Sequence, residues 1–161
     1  MTLNSFVEFT GEEAESYRYD TFTLYFTDKT GEHLVTEQRT VYYKRSLSKA
    51  RVVLEQLAKG PMVKDNYPTI PGNSQPINVT IADRVCYVDM NHSFQDYALD
   101  VSEEITMYSV VNSLLAACDA DKVQISVEGV SSGNLKEELP LYSFYEKNEN
   151  LVLVNSETKS E

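Results

Sequence analysis

The chain has 161 residues, of which 42% are hydrophobic, so it is long enough for one domain with a sizeable core. Its 14 basic and 25 acidic residues leave a net charge of -11, and such a surface repels nucleic acid and anionic lipid. The sequence contains no run of about 18 apolar residues, so we expect no membrane span within the chain.

The N-terminal residues are acidic and polar with interspersed aromatics, and we expect residues 1–20 to form a linker or tether. They contain neither the basic region nor the apolar region of an export signal. Two interpretations fit this composition: a cytosolic protein, or an exported protein supplied without its signal and tether.

The first predicted element is a β-hairpin. Residues 21–27 alternate between apolar and polar side chains, which is typical of a half-buried strand. A turn is expected over residues 28–31, because Asp28 can bond its own backbone and Gly31 accepts a left-handed conformation. The returning strand is expected from about residue 33 to residue 43.

A helix is predicted over residues 46–59, where apolar residues recur on one face. Ser46 or Ser48 can cap its start. Gly60-Pro61 ends it, because proline cannot continue a helix, and a proline-rich loop over residues 62–76 follows.

A second hairpin and a second helix are predicted after this loop. The strands are expected over residues 77–81 and 85–89, and a short irregular or helical segment over residues 91–99. The second helix is expected to begin at Asp100, three residues before Glu103 as in a capping box, and to end near residue 118.

A fifth strand is predicted over residues 123–127, and residues 139–145 could add an edge strand. The order ββαββαβ predicts an α+β fold, with a small mixed or antiparallel sheet of about five strands and two helices packed on one face. The absence of a glycine-rich phosphate loop argues against a nucleotide-binding fold. We expect the domain to span residues 21–146, followed by a polar C-terminal tail over residues 147–161.

Candidate catalytic groups are few. Asp89, His92 and Ser93 lie close in sequence, but no nucleophile elbow surrounds any serine, and a solvated turn explains them better. Paired carboxylates could cleave a glycan, and the candidate pairs are Asp89 with Asp96 and Glu103 with Glu104. In an acidic chain such pairs arise by chance, and the two glutamates fit the first turn of a helix.

Metal and cofactor sites are not predicted. Asp119 and Asp121 lack the run of oxygen ligands that a calcium loop requires. Cys86 and Cys118 cannot form a zinc site without nearby histidines, and the two histidines show no ligand spacing. Apolar neighbours favour buried free thiols at both cysteines. The alternative is a single disulfide between them, if the compartment is oxidising. We therefore expect no catalytic, cofactor-binding or metal-binding residues.

Other polar and aromatic residues have structural explanations. Glu37 and Arg39 lie on the same face of one predicted strand and could pair with each other or with partners on neighbouring strands. Asn112 interrupts an apolar stretch and is expected to be buried and bonded to a loop backbone. Tyrosines fill part of the core and could also line a binding surface; they stand at positions 17, 19, 25, 42, 43, 87, 97, 108, 142 and 145.

Several short segments occur in a characteristic order over about 105 residues: Leu24-Tyr25-Phe26 with Gly31, Leu34 to Arg39, Val53 to Leu57 before Gly60-Pro61, Thr69-Ile70-Pro71, Val88-Asp89 before Phe94, Tyr108 to Leu114, and Val123-Gln124 to Val127-Glu128-Gly129. In this arrangement the chain resembles the GerMN family of sporulation and spore germination proteins. The resemblance implies an α+β domain, typical of Gram-positive lipoproteins or secreted cell-envelope proteins. It brings no catalytic residues with it.

We therefore expect a non-enzymatic, extracytoplasmic domain that contacts envelope or sporulation proteins through a sheet edge or exposed tyrosines. The alternative is a carbohydrate- or peptidoglycan-binding module, which exposed aromatics beside Asn and Asp would serve. A glycan-cleaving enzyme is the third hypothesis.

Overall fold

The computed structural model describes residues 16–154. It contains five strands and two α-helices in the predicted order: β1 (Tyr17–Thr27), β2 (Leu34–Lys44), α1 (Lys49–Lys59), β3 (Pro76–Ala82), β4 (Val85–Met90), α2 (Glu103–Ala117) and β5 (Lys122–Val127). Two 3-10 turns, His92–Gln95 and Glu149–Leu151, lie between or after them. The predicted α+β class is confirmed.

The strands are divided between two sheets, whereas the sequence suggested a single layer. β1 and β2 form an antiparallel hairpin, and β3, β4 and β5 form a mixed sheet in which β4 and β5 run parallel. A helix takes the place of a third strand beside β1. The Ser113 hydroxyl accepts from the Tyr25 N–H at 2.9 Å, and the Ser109 hydroxyl donates to the Tyr25 carbonyl at 2.5 Å. These bonds satisfy the backbone of β1 at Tyr25, where a neighbouring strand would otherwise bond.

Helix α2 lies at the centre of the domain and contacts β1, β5 and α1. Nine of its fifteen residues are buried, from Ile105 to Leu114. A helix that is buried on most of its circumference is a core element rather than a cover on one sheet face. The two sheets therefore pack around α2.

The helix starts are set by serine caps. Ser48 accepts from the Arg51 N–H at 3.1 Å, so α1 begins at Lys49 with one of the two predicted caps. The prediction that Asp100 opens α2 was wrong, because Ser102 accepts from the Ile105 N–H at 3.2 Å. Strand β1 begins at Tyr17, four residues before its predicted start at residue 21.

The segments that follow β5 are held by individual bonds rather than by a strand. Within residues 139–145, isolated bridges join Tyr145 to Val123 and Pro140 to Asn134 in place of the predicted edge strand. Asn112 is fully buried, and its side-chain amide exchanges two hydrogen bonds with the Asn148 backbone at 3.0 and 2.9 Å. This confirms the predicted role of Asn112 and fixes the backbone at residue 148 against α2.

No helix among residues 16–154 is both long enough and apolar enough to cross a membrane.

Candidate functional site

The glutamate at the start of α2 is a structural acceptor. The Glu103 carboxylate accepts the backbone N–H groups of four successive residues, 136 to 139, at 2.9 to 3.2 Å. Burial by itself raises the pKa of Glu103, but these bonds more than offset burial and hold the pKa below its ordinary value of 4.5. Glu104 lies beside it, exposed, in the first turn, as predicted. A carboxylate fixed in this way is ill suited to exchange protons with a substrate.

Within the described residues, no hydrogen bond joins the side chains of Asp89, His92 and Ser93 to one another. The Asp89 carboxylate accepts from the Ser126 hydroxyl at 2.7 Å and from the Gly129 N–H at 2.8 Å. The exposed His92 ring lies 2.9 Å from Glu128, which raises the pKa of His92. Ser93 is buried. Asp89 and His92 therefore each bind a different group in or just after β5.

Asp119 and Asp121 hold an arginine rather than calcium. Arg84 contacts both carboxylates at 2.7 Å, and hydrogen bonding to Arg84 lowers the pKa of Asp121. Cys86 is a buried free thiol whose pKa burial raises to about 12, and Cys118 is a half-buried free thiol. No group of three His, Cys, Asp or Glu side chains within residues 16–154 is arranged to hold a metal ion.

A buried ion pair organises the loop after α1. Arg39 and Glu37 are 6% and 1% exposed and lie 2.6 Å apart, which confirms the predicted pairing. Arg39 donates to the carbonyls of Gln56 and Gly60 at the end of α1. Glu37 accepts from the backbone of the following loop, at the N–H groups of residues 62 and 63 and the side chain of Asn66. The pair thus fixes both the helix end and the loop.

The outward face of the β1–β2 hairpin carries an aromatic group that we name the tyrosine cluster: Tyr17, Tyr19 and Tyr42. The rings of Tyr17 and Tyr42 stack with centroids 5.1 Å apart, and Tyr19 lies 6.1 Å from Tyr42. Tyr19 is 66% exposed and Tyr42 is 53% exposed. The adjacent Tyr43 points inward and is 5% exposed.

A second exposed surface lies on the outward side of the three-stranded sheet. We name it the polar face, and it consists of Asn78, Thr80, Tyr87, Asp89, Gln124 and Ser126. These side chains line a shallow depression of about 150 Å³. At one side the Tyr87 ring meets Phe144 edge-on at 6.4 Å, and Gln124 donates to the Tyr142 carbonyl at 2.9 Å.

The sequence singled out only part of this surface. Tyr87, Asp89 and Tyr142 were candidate binding or catalytic residues in the sequence, whereas Gln124 and Ser126 of β5 were not. Their signal was present in the alternation, because Asn78 and Thr80 stand between apolar neighbours, as do Gln124 and Ser126. The alternation does not reveal that β5 pairs in parallel with β4, and this pairing places the three strands side by side.

A family profile described as sporulation and spore germination, and named Germane, matches residues 23–132. The chain belongs to this family. The match covers more than half of the chain and ends before the loop that Glu103 holds.

Two solved structures of the sporulation protein GerM from Bacillus subtilis have a similar fold. The tandem GerMN domains superpose with a TM-score of 0.65 at 19% identity, over 84% of this chain and 48% of that one. The first GerMN domain alone gives a TM-score of 0.62 at 21% identity, over 81% and 98% of the two chains. The chain therefore spans about half of the tandem structure.

A Clostridium perfringens protein that is provisionally assigned as a lipoprotein is also similar. It gives a TM-score of 0.54 at 14% identity, over 88% of this chain and 96% of that one. The search of curated proteins found no significant match. At these identities the structural matches establish the fold, a GerMN α+β domain.

Proposed function

We propose that this chain is a non-enzymatic interaction domain of the cell envelope, and that it contributes to sporulation or germination by binding another protein. The observation that carries the proposal is the tyrosine cluster. Stacked, exposed tyrosines offer a large contact area with polar tips and lose little entropy on binding, so they are favoured at protein interfaces.

The candidate catalytic groups support the same proposal. Glu103, Asp89 and the two aspartates near Arg84 are each engaged by hydrogen bonds within the domain. The proposed location outside the cytoplasm, with a lipoprotein anchor or as a secreted protein, rests on the family and on the Clostridium relative.

The test is cross-linking and affinity capture in sporulating cells. The intact chain is compared with the Tyr19→Ala/Tyr42→Ala variant and with Tyr97→Ala as the control. Tyr97 is 68% exposed and lies on neither surface defined above, so its loss removes an exposed tyrosine without altering the cluster. We expect an envelope or sporulation protein to be captured by the intact chain and the control and lost with the double variant. Equal capture by all three would refute the role of the cluster.

A second candidate function, glycan binding, is favoured by the polar face. Its amide, hydroxyl and carboxylate groups can exchange hydrogen bonds with sugar hydroxyls, and the exposed rings of Tyr87 and Phe144 can pack against the apolar side of a sugar. Sedimentation with purified peptidoglycan tests it, with Tyr87→Ala/Phe144→Ala as the variant. Sedimentation that survives loss of both rings, or no sedimentation of the intact chain, argues against this candidate.

A further inference from the structure

Strand β3 leaves one edge of the three-stranded sheet open. The β3–β4 turn consists of two residues, Asp83 and Arg84, with φ values of 52° and 63°. In a hairpin with such a turn, the residues that flank it exchange both backbone bonds. Ala82 therefore bonds to β4, whereas Val79 and Ile81 direct their N–H and C=O groups to the open edge. Within the described part of the chain, no hydrogen bond reaches that edge between residues 78 and 82.

A cavity of about 470 Å³ lies directly beneath this edge, between the start of α1 and the end of α2. Most of its lining is apolar and comes from Ala50, Val79, Ile81, Ala117 and Cys118. Ser48, Lys49 and Asp119 line the remainder. Ile81 is opposite the buried Cys86 and so belongs to the inward face of the sheet, yet it is 44% exposed. The inner layer of the sheet is thus unfilled where a fourth strand would lie.

We propose that this edge and cavity form a strand-addition site for an extended segment of a partner protein. The proposal rests on the interaction function above. The partner's segment has apolar side chains at alternate positions and no net negative charge. The backbone of the segment pairs with Val79 and Ile81, and every second side chain enters the cavity, as the two-residue period of a strand requires.

Two observations define the occupant. Arg51 donates to the carbonyls of Pro76 and Ile77 at 3.0 and 3.2 Å, which closes the edge at the start of β3 and limits the added strand to residues 78–82. The net charge of -11 repels a second copy of this chain or an acidic segment, so a neutral or basic segment of another protein is favoured.

The test uses a display library of random peptides about twelve residues long, selected against the intact chain and read out by amide hydrogen exchange. We expect the selected peptides to have an alternating apolar pattern without net negative charge. They should slow the exchange of the Val79 and Ile81 amides at least tenfold. Ala117→Phe should fill the cavity and weaken binding at least tenfold, whereas Ala116→Phe, an exposed neighbour on the same helix, should leave it unchanged.

Selected peptides that leave the two amides unprotected, or that bind the Ala117→Phe variant with full affinity, overturn the strand-addition site. A library that yields no binding peptide overturns it as well. None of these results decides the interaction function, because the Tyr19→Ala/Tyr42→Ala capture experiment tests that function at a different surface.

Discussion

The buried pair of Glu37 and Arg39 gives the sharpest test of how the domain is held together. In the Glu37→Gln variant, the Arg39 guanidinium keeps its charge but loses its only carboxylate contact among the described residues, in a position where it is 6% exposed. The loop after α1 also loses an ionised acceptor that two of its N–H groups and Asn66 share. Both changes lower the free energy of unfolding.

The expected loss in the free energy of unfolding is about 3–5 kcal/mol, the usual cost of leaving one partner of a buried pair uncompensated. That is a large part of the roughly 5–15 kcal/mol by which a domain is stable, so the variant should unfold at far lower denaturant concentrations. The assay is urea unfolding followed by circular dichroism. The control is Glu146→Gln, which removes an exposed carboxylate 3.9 Å from Lys122 and should cost less than about 0.5 kcal/mol.

A double-mutant cycle with Arg39→Met separates the pair from its other bonds. We expect the double variant to stay destabilised, because the carbonyls of Gln56 and Gly60 lose a donor and the loop loses its acceptor. A loss below about 1 kcal/mol for Glu37→Gln, with an unchanged circular dichroism spectrum, would refute the reasoning.

Three further predictions concern stability and reactivity. Gly31→Ala should lower the free energy of unfolding by about 2 kcal/mol or more, because φ is +72° and an added Cβ would lie 2.6 Å from the Asp100 carbonyl oxygen. The control, Gly133→Ala, has a φ of +82° but open space around the added Cβ, and should lower it by about 1 kcal/mol in the same urea assay. The pKa of Glu103 in the folded state lies below 4.5, so its contribution to stability is present above pH 4.5 and is lost as the pH falls through the folded pKa. The melting temperature of the Glu103→Gln variant should therefore change less between about pH 5 and 3 than that of the intact chain. Parallel plots of melting temperature against pH for the two proteins would contradict this. Cys86 should stay unlabelled by a thiol reagent at pH 8 until urea unfolds the chain, because burial raises its pKa to about 12.

The sequence predicted the elements well where local rules apply. Alternation located all five strands within a few residues, and Ser48 and Gly60 act as the expected helix boundaries. The division into two sheets could not be predicted, because it depends on Ser109 and Ser113 bonding a strand 84 to 88 residues away. The same limit applies to the candidate surfaces: alternation indicates which side chains face outward, but strand pairing decides which of them become neighbours.

Three buried or half-buried polar side chains have a common role in this domain. Glu37 holds the loop after α1, Glu103 holds residues 136–139, and Asn112 holds the segment at residue 148. Each belongs to a regular element and satisfies backbone groups of an irregular segment, so hydrogen bonds fix these loops together with apolar anchors such as Leu135 and Leu141. Because these side chains bond loop backbone, they serve the fold. The surfaces proposed above as binding sites are the tyrosine cluster, the polar face and the open edge of β3, and each is carried on strands. Surfaces carried on hydrogen-bonded strands are ordered before binding, and such preorganisation keeps the entropic cost of binding low.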